Sequence, residues 1–347
     1  MSGRAKPPMF GDLSNWALIQ AESIWMMSQL PDCSIQTVVT DPPYWLAMQG
    51  KSWDGGNGSD YPSTPEGFQQ FTKAWAEQVH RILVPGGHLI AAGASRTSHR
   101  LSAGIEDAGL EIRDSLIWLR SDGVPKGRRL AGGRSTGLKP AYEVLVMARK
   151  PLAKRVNGKP GTTLDNLDRF GTGAINVDET SVPRTANDPG VQNYWPANVV
   201  LSHGRDCTDE RCVNDCAVVA VDRLGDHARP VSRIFHAGKA LTAEREAGLD
   251  ALEKRVSPVF SSSKYKARAR ACHHPTVKPL SVMGWAVRLV SPPGSVVLDP
   301  FAGTSSTGCA AMLAGRSFIG IERESDYIEI SRARLAHWAK ESHRNAS

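Results

Sequence analysis

Short apolar runs alternate with stretches of helical spacing over the first 150 residues. The run TVVT at 37–40 predicts a strand that leads straight into Asp41-Pro42-Pro43-Tyr44. Over 68–83, Phe71, Trp75, Val79 and Ile82 recur at helical spacing, predicting an amphipathic helix that stops before Pro85-Gly86-Gly87. Strands are predicted over 88–92, 111–119 and 141–148, with a helix over 97–108. From about 150 to 270 the pattern changes: Gly, Pro, Asn, Asp and Arg dominate and periodicity is weak. Alternation then returns, as helix 280–290, strand 295–298, helix 306–314, strand 317–321 and helix 325–339. This order predicts an α/β fold with a mostly parallel sheet, interrupted by a loop-rich insertion. Three parts follow: 1–150, an inserted region 151–270, and 271–347. There is no internal repeat.

Composition fits a globular chain, with 347 residues, 41% hydrophobic and 22% charged, long enough for a catalytic domain plus an insertion. No run of about 18 uncharged apolar residues offers a transmembrane helix. The start, MSGRAKPPMFGD, carries no apolar signal-peptide core, so a cytoplasmic protein without membrane attachment is expected. Charge changes the picture more. A net charge of +7 favours a polyanionic partner, although a generically basic enzyme would look the same. The charge is concentrated. Lys126, Arg128, Arg129, Arg134 and Lys139 lie between 121 and 140, opposed by Asp122 alone. Lys264, Lys266, Arg268 and Arg270 lie between 261 and 274 with no acid. Both stretches are rich in Gly or Ser and read as mobile loops rather than amphipathic helices, able to contact phosphates.

The segment SVVLDPFAGTSSTG (295–308) reads as a strand ending in Asp299, a small-residue turn and a helix from about Ser306. Gly303 would let the backbone approach a ligand, and the helix start offers unpaired N–H groups. A plain turn of any doubly wound fold has the same local pattern. A dinucleotide site is disfavoured because the G-x-G-x-x-G order is absent. Further on, FIGI ends in Glu322, where an acid at a strand tip can accept from two ribose hydroxyls.

DPFAG followed by FIGIE resembles the S-adenosylmethionine site of DNA amino-methyltransferases, and DPPY matches that family's catalytic tetrapeptide. The tetrapeptide comes first and the cofactor turn last, which resembles the beta-class permutation. GKSWD (50–54), PGGHLIAAG (85–93), GTGAINVD (171–178) and WPANVV (195–200) resemble a prophage-type branch. The resemblance implies a Rossmann-like, circularly permuted S-adenosylmethionine-dependent methyltransferase with an inserted target-recognition region, acting on double-stranded DNA in a bacterial or phage setting. It implies catalytic roles for Asp41, Pro42, Pro43 and Tyr44. Cofactor roles fall to Asp299, Pro300, Phe301, Gly303 and Glu322, to Thr276, Lys278 and Pro279 of HPTVKPL (274–280), and to Asp12 against the cofactor's adenine amine. The oligomeric state stays open, a homodimer being one option.

The chemistry suits the tetrapeptide. An exocyclic amine of a base is a poor nucleophile because its lone pair is delocalised into the ring. Asp41 can accept one amine hydrogen and the Pro42 carbonyl the other, drawing the nitrogen toward tetrahedral geometry, while the prolines hold that backbone rigid. Tyr44 offers a face for a base turned out of the duplex. Trp53 and Asp54, in the Gly-rich loop 50–58, either close over that base or anchor the loop. Adenine N6 is favoured over cytosine N4 because in the family Ser at the first motif position leans toward cytosine, and this chain has Asp. The rival readings are N4-cytosine methylation, a DNA-binding regulator without catalysis, and an RNA or protein substrate.

Finally, His203, Cys207, Cys212 and Cys216 are spaced H-x3-C-x4-C-x3-C. In a cytosolic chain such a cluster points to metal before disulfides, and a structural Cys3His zinc site would fit. Free cysteines in a loop are the other reading. In the insertion, Arg184, Arg205 and Arg233 are further candidates for phosphate or base contact.

Overall fold

The computed structural model describes residues 15–46, 52–55, 60–121, 123, 127–184, 192–204, 207–208, 211–214, 216–224, 231–238, 242–256 and 269–346. In chain order the strands are β1 Trp16–Gln20, β2 Ile35–Thr40, β3 Leu83–Gly93, β4 Glu111–Leu119, β5 Tyr142–Arg149, β6 Val199–Ser202, β7 His236–Gly238, β8 Val296–Asp299 and β9 Ser317–Glu322. The helices are α1 Ser23–Ser28, α2 Pro65–Ile82, α3 Ser98–Asp107, α4 Thr163–Phe170, α5 Val177–Thr180, α6 Ala217–Asp222, α7 Thr242–Glu246, α8 Leu280–Val290, α9 Ser306–Leu313 and α10 Ser325–Ala346. All described strands join one sheet in the order β1-β9-β8-β2-β3-β5-β4-β6-β7. Only β5 is reversed, running antiparallel to β3 and β4.

The sheet is covered on both faces, so its central strands are largely apolar and alternate residues serve two cores. Val38, Leu89, Ala91 and Leu298 pack with Trp75, Val79 and Ile82 of α2 and Leu101 and Ile105 of α3. Val39, Ile90, Leu145 and Val297 pack on the other face against Met283 and Trp285 of α8 and Ala310 and Met312 of α9. α2 starts where its sequence says it should: Thr64 accepts from the Gly67 N–H, and Pro65 occupies the first turn, where its missing donor costs nothing. Among the described residues no helix is long and apolar enough to cross a membrane.

This order places the site. From β8 the chain crosses through α9 to β9 on one side; from β2 it crosses through α2 to β3 on the other. The direction of winding therefore switches between β8 and β2, and a crevice opens beyond their carboxyl ends.

The insertion is more ordered than its weak periodicity predicts. α4 carries a capping box between Thr162 and Asp165 and ends on left-handed Gly171. β6 pairs parallel with β4, and β7 with β6, so described parts of 151–270 extend the main sheet. Strands of four and three residues are too short to show a period. At the other edge β1, which no pattern predicted, pairs with β9.

Candidate active site

The crevice is a cavity of about 420 Å³. Asp41, Pro42, Pro43 and Tyr44 line it from the end of β2; Asp299, Pro300, Phe301 and Gly303 line it from the end of β8. Glu322, the last residue of β9, and Thr276 and Lys278 complete the residues that the motifs single out. Segments from opposite ends of the sequence thus face one space. Pro279 caps the start of α8 and is not part of the wall. Asp12 lies outside the described residues.

The two strand ends are tied together. Thr40 Oγ1 donates to Asp299 Oδ1 at 2.6 Å, and the Phe301 N–H donates to the same oxygen at 3.1 Å. Burial pushes the Asp299 carboxyl up to about 6, against the lowering effect of these bonds. Glu322 accepts from the N–H groups of Gly303 at 2.7 Å and Glu324 at 2.8 Å, so it fixes the turn after β8. Gly303 has φ +53°, and a Cβ there would come within 3.4 Å of His274 Nε2. His274 is itself held neutral, its pKa pushed down to about 3 by burial and by the nearby Lys278.

Around the tetrapeptide the structure shows a charge network that sequence reasoning missed in part. Lys278 Nζ donates to Asp41 Oδ2 at 2.6 Å and to Tyr44 Oη at 3.0 Å, and lies 3.3 Å from Glu143. Tyr44 Oη in turn donates to Glu143 Oε2 at 2.9 Å. Glu143 also pairs with Arg120. Lys278, expected on the cofactor side, therefore has its ammonium on the tetrapeptide. Burial alone would raise the Glu143 carboxyl, but Lys278 and Arg120 outweigh it and hold it low. Burial raises Asp41, and the Lys278 charge opposes that shift. Asp41 Oδ1 is buried and has no hydrogen-bond partner among the described residues. Glu143 had a detectable signal: it is the acid near the start of the apolar run YEVLVMA. Because β5 is reversed, its beginning lies at the carboxyl edge of its parallel neighbours, beside the cavity.

The loop after the tetrapeptide is pinned by Asp54. It is 1% exposed and accepts from the Trp45 N–H at 2.8 Å. The Trp45 ring stacks on Phe71 at 5.0 Å. Ser52 and Asp54 border the cavity, while the side chain of Trp53 lies outside what is described.

Of the basic candidates, Lys126, Arg205, Lys264, Lys266 and Arg268 lie outside the described residues. Arg128, Arg129, Arg134 and Lys139 are exposed on an arm between β4 and β5. The arm is not a plain loop: Arg129 bridges Ser135, and the Leu130 N–H donates to the Arg134 carbonyl at 2.8 Å. Arg270 forms an isolated bridge with Arg255. Arg184 lies over the Tyr194 ring at 4.3 Å, and Arg233 sits in the short turn Val231–Ile234. His203, Cys207, Cys212 and Cys216 come together away from the cavity lining.

A twisted, mostly parallel sheet with its acids gathered at one switch point is the Rossmann-like methyltransferase architecture. It is similar to that of PvuII DNA methyltransferase, described as cytosine-N4-specific, with a TM-score of 0.55 at 15% identity, covering 95% of this chain and 92% of that one. The chain belongs to the N6/N4 methyltransferase family of DNA methylases, whose profile matches residues 35–333. It is 21% identical over 325 residues to the type II methyltransferase M2.DpnII of Streptococcus pneumoniae, covering 92% of this chain and 88% of the relative. It is also 21% identical over 328 residues to M2.LlaDCHI of Lactococcus lactis subsp. cremoris, covering 92% and 89%.

Proposed function

We propose that the protein transfers a methyl group from S-adenosylmethionine to the exocyclic N6 of an adenine turned out of double-stranded DNA. The observation that carries this reading is the pair of oxygens on Asp41. Oδ2 is held by Lys278, whereas Oδ1 is buried, unpartnered and beside the cavity. A buried acceptor left unmade costs about 1–3 kcal/mol, so this oxygen suits a donor that the substrate brings.

The residues present fit the cofactor. The cavity lies within the range of about 300–1,000 Å³ usual for small-molecule sites. One wall turns on Gly303, in the left-handed region that a side chain would strain, flanked by two buried acids at the ends of β8 and β9. Asp299, Gly303 and Glu322 would hold the cofactor, with Phe301 providing an apolar wall. Bound there, S-adenosylmethionine supplies an activated methyl group on its sulfonium.

The chain's own residues do the rest. Asp41 Oδ1 accepts one hydrogen of the target amine and the Pro42 carbonyl accepts the other, localising the nitrogen lone pair. Methylation of a neutral amine must release one proton, and Asp41 Oδ1 is the acceptor placed to receive it. The Lys278 ammonium favours the ionised form of Asp41, against the burial that raises its pKa. Tyr44, its hydroxyl fixed by Glu143 and Lys278, presents a ring whose position is set before the base arrives. Asp at position 41, rather than Ser, favours adenine over cytosine by family resemblance. The exposed arm between β4 and β5 and the region 151–270 would supply DNA contacts. Such an activity would act on DNA in the cytoplasm of a bacterial or phage-infected cell. Incubation with labelled cofactor and DNA, followed by nucleoside mass spectrometry, tests it. N6-methyladenine is expected; N4-methylcytosine alone would overturn the base assignment, and no methylated base would overturn the activity.

A further inference from the structure

We propose that His203, Cys207, Cys212 and Cys216 bind a structural zinc ion that cross-links the edge of the sheet carrying β6 and β7. One ligand atom from each residue lies within 4.8 Å of every other. His203 Nδ1 is 3.3 Å from Cys212 Sγ and 3.7 Å from Cys216 Sγ. In a tetrahedral site with Zn–S of about 2.3 Å and Zn–N of about 2.0 Å, neighbouring ligand atoms stand roughly 3.5–3.8 Å apart. The two His203 distances are close to that edge length. The thiols are free rather than paired.

Two of the sulfurs accept backbone hydrogen bonds. The Gly204 N–H donates to Cys216 Sγ and the Val213 N–H to Cys207 Sγ, both at 3.4 Å. Such outer-shell donors spread the charge of sulfur ligands and fix their orientation. Three sulfurs and one imidazole suit zinc better than a hard cation, which prefers oxygen. Four protein ligands also close the coordination sphere, which marks a structural site rather than a catalytic one.

The location supplies a reason for a cross-link. His203 directly follows β6, and Cys216 caps the start of α6. The apolar cluster around them has four buried members among the described residues, Leu201, Cys207, Cys216 and Val218, and two of these are ligands. Partly buried side chains such as Val199, Val213 and Phe235 pack against it. With so few fully buried members the cluster gains little from burial, and small units commonly add a metal for that reason. The cross-link also bears on the rest of the sheet: Trp118 Nε1 of β4 donates to Ser202 Oγ of β6 at 2.7 Å, buried. β4 runs on into the basic arm, so the metal would steady the edge on which that arm is rooted.

The test is direct and independent of methyl transfer. The full chain, produced in zinc-replete medium and purified under reducing conditions without a metal-affinity step, is expected to carry about one zinc per chain by elemental analysis. Chelated protein titrated with cobalt(II) should develop the visible bands of a tetrahedral thiolate site, which zinc then bleaches. His203→Cys should retain the metal as a four-sulfur site, whereas Cys212→Ser should lose most of it. Folded wild-type protein with reduced thiols, substoichiometric zinc and no cobalt bands would overturn the proposal, as would a disulfide within the cluster. The wild-type titration decides the matter even if a cysteine variant fails to fold.

Discussion

Lys278 Nζ lies 2.6 Å from Asp41 Oδ2, joining residues 237 positions apart in the sequence. The lysine side chain is 6% exposed, so the pair is little screened. Burial raises the Asp41 pKa and the ammonium opposes it, so removing the ammonium should raise that pKa further. With Asp41 working as the ionised acceptor, activity is lost as pH falls through its pKa. Lys278→Met should therefore move the acidic limb of the kcat/KM profile to higher pH, with partial recovery on the alkaline side. A lysine of purely structural value would lower the whole profile without moving the limb.

Asp41→Asn keeps the shape of the side chain but replaces an acceptor with a donor on one side. Turnover should fall by about 10²–10⁴-fold, the usual contribution of a positioned acid or base. Cofactor affinity should stay within a few fold, because Asp299 and Glu322 lie on other strands. Calorimetry with the cofactor, run beside single-turnover methylation, separates the two. A variant that keeps more than about a tenth of wild-type turnover would remove Asp41 from the proposed chemistry.

Glu143 balances two cations, Arg120 and Lys278. Its side chain is 16% exposed, so Glu143→Ala leaves charges poorly compensated by solvent. Unfolding in urea should show a loss of up to about 3 kcal/mol. Glu143→Gln can still accept from Tyr44 Oη and should lose less. Equal losses in the two variants would mean that the Tyr44 bond contributes nothing measurable.

The sequence made the parallel sheet, the turn after β8 and the tetrapeptide segment after β2 legible for a physical reason. Each is local: an apolar run bounded by Gly or Pro, ending in an acid, as in VVLDPFAG and TVVTDPPY. What stayed hidden depends on contacts between distant segments. Lys278 reads as part of a motif beside the cofactor strand, and only the fold carries its ammonium to Asp41. Glu143 matters because β5 is reversed, and strand direction leaves no mark in an apolar octapeptide. β6 and β7 were missed because such short runs, set in a Gly- and Pro-rich stretch, have no neighbouring helical pattern to mark them as strands. The Cys3His spacing was visible, but that its side chains converge is a property of the turn between β6 and α6.

If Asp299 holds the cofactor as proposed, binding should depend on pH. Without a ligand, burial pushes its carboxyl up to about 6. A bound sulfonium and ammonium favour the ionised carboxylate, so the pKa should fall in the complex and binding should release a proton. Affinity should therefore be highest above about pH 6 and weaken below it, by at most about tenfold per pH unit. Calorimetry between about pH 5 and about pH 8, in buffers of different ionisation enthalpy, measures both the slope and the proton released. Asp299→Asn should bind more weakly at neutral pH and lose most of the slope. A flat wild-type profile would mean that Asp299 does not sense the cofactor's charge.

Arg128, Arg129 and Arg134 are exposed on the arm between β4 and β5, on a chain with net charge +7. Exposed arginines add little to stability, so neutralising all three should leave the folded protein intact. If each meets a DNA phosphate, each releases condensed counterions on binding. The slope of log affinity against log salt should then fall in magnitude by up to about 2.7, at roughly 0.9 per contact on duplex DNA. The loss should be similar for DNA of any sequence, because phosphate contacts position a protein without reading bases. Cofactor affinity should not change, since none of the three borders the cavity. The triple Gln variant, titrated against duplex DNA at several salt concentrations, makes the measurement. A wild-type slope in that variant would show that the arm points away from DNA. The phosphate contacts would then have to come from other basic residues, Arg270 among those described, and the same titration on their neutralised forms would locate them.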